Sequence, residues 1–127
     1  MPEMVEAALA DAGFDLVHAF DAQAISREPD LAWLCGAEPR GLLIGNTRAL
    51  WPVFVRAMAD PALATLPDPL EHYTECVLAA AFPGARIYYA HRQYAGAFLP
   101  LQRVADATGL GSLAANHLVI HPIHGPW

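Results

Sequence analysis

The chain has 127 residues, a formal net charge of −6 at pH 7, and a composition that is 55% hydrophobic but only 16% charged. This length suits a single domain, and the apolar content excludes intrinsic disorder. The seven basic residues are all arginine and are dispersed along the chain. That distribution argues against nucleic-acid binding, and the lack of lysine excludes Schiff-base chemistry.

The first third of the chain is predicted to hold one helix and one strand. Apolar spacing predicts a helix over residues 3–12, which ends at Gly13 because glycine favours the backbone conformation that closes a helix. Alternating apolar residues then predict a half-buried strand over residues 14–20. Residues 21–40 are interrupted by proline and glycine, so we expect a surface connection there.

The middle of the chain begins with a short apolar run that predicts a buried central strand over residues 41–46. Leu50, Phe54 and Met58 follow at four-residue spacing and predict a helix. At residues 68–71 the sequence Asp-Pro-Leu-Glu predicts a helix start with a capping box.

That helix should continue to Ala81 and bury Tyr73, Cys76, Val77 and Ala80. After it, β-forming residues predict a strand over 86–90. A helix is expected over 101–108 and a last strand over 118–120.

Helices thus lie between several strands, which predicts a mixed α/β or α+β fold in layers. No apolar run approaches the roughly 18 residues of a membrane-spanning helix. Acidic residues occupy the N-terminal positions where a secretory leader would be basic and then apolar. The spacing of Cys35 and Cys76 matches no metal-binding motif. We therefore expect a cytoplasmic protein with reduced thiols. We also expect a homodimer or larger homo-oligomer, because the sequence stops directly after a buried-looking strand and turn.

Two clusters could carry chemistry. His117, His121 and His124 are possible metal ligands, but on a strand His117 and His121 would lie about 13 Å apart. Hydrogen-bonded imidazoles are therefore favoured over a zinc site, and no metal ligand is assigned. Residues 91–94 (His-Arg-Gln-Tyr) place several donors after a predicted strand, where ligands often bind. A solvated loop is the simpler interpretation of those residues.

Two tail segments, residues 105–111 (ADATGLG) and 118–127 (LVIHPIHGPW), resemble the cobalamin-processing CblC-type family. Similar stretches occur in cobalamin-dependent epoxyqueuosine reductases and reductive dehalogenases. The ending His-Pro-x-x-Gly-x-Trp looks most like the CblC type, and residues 41–47 and 66–71 fit that family as well.

The resemblance implies a nitroreductase-like α+β fold that lacks its C-terminal part, since the family continues past the tryptophan. It implies binding of cobalamin with its nucleotide base detached from the metal, and reductive removal of the upper ligand with electrons from an external flavin or thiol. No iron–sulfur cluster is implied, because the cysteine clusters of the reductases are missing.

The resemblance also suggests three groups of residues that would contact the cofactor. They are the motif positions, the glycines that let the backbone approach the corrin, and the polar donors around it. The motif positions are His121, Gly125 and Trp127, the glycines are Gly109 and Gly111, and the donors are Tyr88, Gln93, Tyr94 and Asn116. Two alternatives remain open. One is a non-catalytic dimeric scaffold that has lost the cofactor, and the other is a flavin-binding nitroreductase-like protein.

Overall fold

The computed structural model describes residues 3–110 together with the backbone of 112–113, 119–121 and 125–126. These residues form six α-helices, one 3₁₀-helix and seven short strands, so the fold is α+β. The helices are α1 (Glu3–Asp11), α2 (Gln23–Ser26), α3 (Leu50–Ala57), α4 (Pro61–Ala64), α5 (Pro69–Ala81) and α6 (Leu101–Ala107), with the 3₁₀-helix at Ala32–Leu34. The strands are β1 (Leu16–Asp21), β2 (Arg40–Gly45), β3 (Gln93–Tyr94), β4 (Ala97–Phe98), β5 (Ser112–Leu113), β6 (Val119–His121) and β7 (Gly125–Pro126). Within the described ranges no helix is long and apolar enough to cross a bilayer.

The strands belong to three small sheets. β1 pairs with β2, β3 pairs with β4, and β5, β6 and β7 form an antiparallel sheet in that order. The chain divides into two compact units, of which unit 1 comprises residues 1–17 and 44–97. Unit 2 comprises residues 18–43 and 98–127. The chain therefore leaves unit 1 within β1 and returns to it within β2.

The core of unit 1 is built from α1, α3 and α5. Leu9, Phe14, Leu50, Phe54 and Leu78 form its buried cluster. Leu50 and Phe54 lie on one face of α3, as their spacing predicts, because residues four apart are neighbours on a helix.

Gly13 ends α1 at a positive φ of 101°, and its backbone lies so close to Leu50 that a Cβ there would be 2.9 Å from the Leu50 Cα. Tyr73 adds a hydrogen bond from its hydroxyl to the Ala12 carbonyl, at 2.6 Å.

The core of unit 2 is smaller and is centred on Ile25, Leu31 and Val104. Leu31 is fully buried, so the expectation of a surface connection over residues 21–40 is wrong for this part of the segment. α2 carries Ile25 into this core, and Leu31 enters it as the N-cap residue directly before the 3₁₀-helix.

Arg103 on α6 reinforces unit 2 through three carboxylates. Its guanidinium lies 2.9 Å from an Asp30 oxygen, 3.3 Å from a Glu28 oxygen and 3.4 Å from an Asp106 oxygen. The hydrogen bond from Arg103 lowers the pKa of Asp30, and the same contact raises the pKa of Arg103.

Several predicted elements are confirmed and several details are wrong. α1, α3, α5, α6, β1 and β6 lie within a few residues of their predicted positions. β2 forms at the expected place, but it pairs only with β1 among the described strands and Leu42 is 36% exposed. It is therefore not a buried central strand. The capping box is also wrong, since Asp68 is the N-cap of α5 but forms no side-chain capping hydrogen bond.

The predicted strand over residues 86–90 is not formed. Ile87 and Tyr89 pack against the unit 1 core instead of entering a sheet. The segment that follows, expected as a loop, is the β3–β4 hairpin. Its two turn residues, Ala95 and Gly96, both have positive φ, at 55° and 83°. Positive φ at both positions is typical of the tight turn that matches the twist of paired strands.

Candidate functional site

The polar cluster of unit 1 joins α5 to the segment that precedes β3. The Glu75 carboxylate accepts a hydrogen bond from Arg92 Nε at 3.0 Å and another from an Arg92 terminal nitrogen at 2.5 Å. His91 Nε2 lies 2.7 Å from the Glu75 Oε2 atom. Arg92 also lies over the Tyr89 ring, 5.9 Å from its centroid. One carboxylate therefore fixes two consecutive residues of the predicted donor segment.

These contacts perturb the titration of the cluster. Hydrogen bonds from Arg92 and then from His91 hold the pKa of Glu75 at about 2, well below its usual 4.5. The same pairing raises the pKa of Arg92. Burial, together with the nearby Glu75 charge, raises the pKa of Tyr89. Glu75 is thus ionised and fully engaged at neutral pH, which suits a structural anchor and not a proton acceptor in catalysis.

A surface groove of about 260 Å³ runs beside this cluster. Its lining combines two apolar residues with several charged or polar ones. They are Leu66, Pro67, Asp68, Glu71, His72, Glu75 and Arg92. This volume is below the roughly 300–1,000 Å³ of typical small-molecule pockets. A corrin ring with its amide side chains, the ligand implied by the sequence resemblance, is too large for this groove.

Cys76 and His72 lie one turn apart on the exposed side of α5. The Cys76 Sγ atom is 3.4 Å from His72 Nε2. The expectation that Cys76 and Ala80 are buried is wrong, because both are exposed, while Leu78 on the same helix is buried. Cys35 and Cys76 are both free thiols. Among the described side chains, no group of three or more histidines, cysteines or carboxylates is arranged to hold a metal ion.

Three of the predicted cofactor residues lie together in unit 1. The rings of Tyr88 and Tyr94 meet edge to face with their centroids 5.1 Å apart. The Tyr94 hydroxyl accepts a hydrogen bond from the Tyr89 backbone N–H at 2.8 Å. Gln93 is exposed on β3 beside Tyr94. The hairpin and the segment before it therefore place an aromatic pair and one amide side chain close together.

No protein-family model, curated protein or solved structure matches this chain. The assignment of a site therefore rests on the residues themselves.

The other predicted cofactor residues belong to unit 2. Gly109 follows α6 with a φ of 82°, and a Cβ added there would meet no described atom within 4 Å. In the β6–β7 ladder His121 is the direct partner of Gly125. Gly111, Asn116 and Trp127 lie outside the described residues, as do His117 and His124. The nine predicted residues are thus distributed over both units.

Sequence reasoning missed Glu75, which organises the donor segment. Asp68 lies three and four residues before Glu71 and His72, and Glu75 lies four and three residues after them, so all four share one polar face of α5. That face, together with the basic pair His91-Arg92 shortly after the helix, is the signal that could have indicated the contact.

Proposed function

We propose that this protein binds cobalamin with its nucleotide base detached and handles the cofactor for reductive removal of the upper ligand. The observation that carries the proposal is the tail sequence His121-Pro-x-x-Gly125-x-Trp127, preceded by Gly109-x-Gly111, which resembles the CblC-type motif. The nitroreductase-like fold is part of the same proposal.

Two backbone features of unit 2 support the proposal. The β6–β7 register sets the motif histidine, His121, directly opposite the motif glycine, Gly125. Directly opposed residues in an antiparallel pair have Cβ atoms only about 4.5–5.5 Å apart, and Gly125 has no Cβ. The position opposite His121 therefore holds no side chain that would block a flat ligand.

The second feature is the turn after α6. Gly109 has a positive φ, and no described atom lies within 4 Å of the position that a Cβ would occupy. Gly109 is exposed, and a glycine allows a ligand to approach the backbone closely because it has no Cβ. In the proposal, backbone groups of this turn and of β6–β7, all in unit 2, would hold the macrocycle.

When bound, the cofactor supplies cobalt redox chemistry, and an external flavin or thiol supplies the electrons. The task of this chain's residues is to bind the macrocycle and to exclude the nucleotide base from the metal.

The test is a titration of the full chain with hydroxocobalamin and with methylcobalamin, followed by visible absorption and by calorimetry. Binding should change the visible spectrum, because the base leaves the metal. Cobinamide, which lacks the nucleotide base, should bind comparably and serves as the matched ligand control.

Variants then locate the site. His121→Ala and Gly125→Val should each weaken binding at least about tenfold, which corresponds to about 1.4 kcal/mol. His72→Ala, an exposed histidine of unit 1, and Gly84→Ala, at an open turn, should leave affinity unchanged. The absence of both heat and spectral change at high micromolar cobalamin would exclude the proposed function.

A further inference from the structure

The outer face of α3 is apolar and bordered by positive charge. Leu50 and Phe54 enter the core, which turns Trp51 and Val55 outward, and these two side chains are 64% and 50% exposed. Arg48, in the turn before the helix, and Arg56, in its last turn, are exposed on either side of this pair. Neither arginine forms an ion pair with another described residue.

The outer face of α1 has the opposite charge. Met4 is 85% exposed, and the exposed residues Ala7 and Ala8 leave the middle of the face flat. Glu3 and Asp11, at the two ends of the helix, are also exposed. No described residue forms an ion pair with either carboxylate.

The two faces match in length and charge. Glu3 and Asp11 are eight residues apart on α1, which corresponds to about 12 Å at 1.5 Å per helical residue. Arg48 and Arg56 are also eight residues apart, with Arg48 in the turn directly before α3. If α1 of one copy of the chain is laid antiparallel to α3 of another copy, Glu3 lies opposite Arg56 and Asp11 lies opposite Arg48.

The same alignment puts the apolar residues in register. Met4 falls beside Val55, and Ala7 and Ala8 fall beside Trp51. The small alanine side chains leave room for the indole ring of Trp51, and tryptophan is one of the residue types enriched among the residues that contribute most to binding at protein interfaces.

We propose that the occupant of the α3 face is the α1 face of a second copy of this chain. Within one copy, the end of α1 and the start of α3 adjoin at Gly13 and Leu50, so each copy carries both halves of the contact. A two-fold axis then forms the contact twice and closes the assembly as a dimer.

Charge reversals at the helix ends can disrupt the dimer without disrupting the fold. Asp11 lies at the C-terminal end of α1, and Arg48 lies just before the N-terminus of α3, so each charge is unfavourable toward the dipole of its own helix. Asp11→Arg and Arg48→Glu each reverse that sign. Each single variant should therefore fold at least as stably as the wild type, while it repels its partner in the dimer.

The experiment measures mass by sedimentation equilibrium of the full chain from 1 to 200 µM. The wild type should approach twice the 13.7 kDa of one chain, with a dissociation constant that rises with salt because the flanking charges are screened. Asp11→Arg, Arg48→Glu and Trp51→Glu should each raise that constant at least about tenfold, a loss of about 1.4 kcal/mol. The double variant Asp11→Arg/Arg48→Glu should dimerise again.

Phe98→Glu is the matched control, because it places the same charge at another exposed aromatic position, 59% exposed in β4. It should dimerise like the wild type. A monomeric wild type at 200 µM overturns the proposal and leaves the face to a different partner. A dimer that survives Trp51→Glu and both charge reversals also overturns it, because the interface must then lie elsewhere. Neither outcome depends on cobalamin binding.

Discussion

Replacing Glu75 with glutamine should destabilise the protein at neutral pH, because glutamine keeps the shape of the side chain but removes the charge that Arg92 and His91 contact. The pKa of Glu75 falls from 4.5 to about 2 on folding, which corresponds to an upper limit of about 3 kcal/mol at 1.36 kcal/mol per unit. Solvent screens part of this, since the side chains of Glu75 and Arg92 are 27% and 58% exposed. We therefore expect a loss of about 1–2 kcal/mol.

The pH dependence follows from the sign of the shift. A carboxyl group whose pKa is lowered by folding stabilises the folded state above its unfolded value, and this contribution disappears as the pH falls through the folded value. The stability difference between wild type and Glu75→Gln should therefore be constant above about pH 5. It should shrink as the pH falls from 4.5 toward 2.

The assay is urea unfolding at pH 7.0, 5.5, 4.5 and 3.5, followed by far-ultraviolet circular dichroism. Glu71→Gln is the control, one turn earlier on α5 and without an ion pair to any described residue. It should change stability by no more than about 0.5 kcal/mol. A difference for Glu75→Gln that is as large at pH 3.5 as at pH 7.0, or a loss no larger than the control's, would refute the reasoning.

Two further predictions concern the backbone and the core. Gly13→Ala should lower the unfolding free energy by about 2–4 kcal/mol, because alanine is strained at positive φ and its Cβ would be 2.6 Å from a Leu50 methyl carbon. Gly84→Ala, at positive φ in open space, should lose only about 1 kcal/mol, and equal losses in urea unfolding would contradict the assigned contact. Leu31→Ala should lose about 2–5 kcal/mol, because the side chain is fully buried. Trp33→Ala, 45% exposed, should lose much less, and comparable thermal shifts for the two would count against the core of unit 2.

The helices were the most predictable part of the fold because their signals are local. Gly13 ends α1 at the expected residue, and Pro69 begins α5 where its fixed φ suits the first helical position. Their buried faces were harder to predict. Cys76 and Ala80 look as apolar as Leu78, but only Leu78 enters the core cluster, and the other two side chains are exposed.

The strand predicted over residues 86–90 shows where local propensity fails. Tyr88 and Tyr89 favour a strand, yet they supply ring contacts to Tyr94 and to the core instead of ladder hydrogen bonds. Both uses bury the same side chains, so the pattern alone does not distinguish them.

The candidate site was predictable only in pieces. The donor segment at residues 91–94 could be recognised, but its anchor could not, since Glu75 lies 16 residues before His91 and on the far side of a turn. Such a contact depends on how α5 packs in the folded chain, and a short stretch of sequence does not reveal that packing. The tail motif was recognisable because its residues are contiguous, and its ladder partners, His121 and Gly125, are only four residues apart.

The division of the chain within β1 and β2 affects the order in which the protein can fold during synthesis. Every residue of unit 1 has been made once Ala97 is added, whereas unit 2 holds only its first segment, 18–43, at that moment. Its buried Ile25 and Leu31 must wait for Val104 to arrive on α6. A ribosome paused after residue 97 would therefore have made every residue of unit 1, whereas unit 2 would still lack the residues against which Ile25 and Leu31 pack.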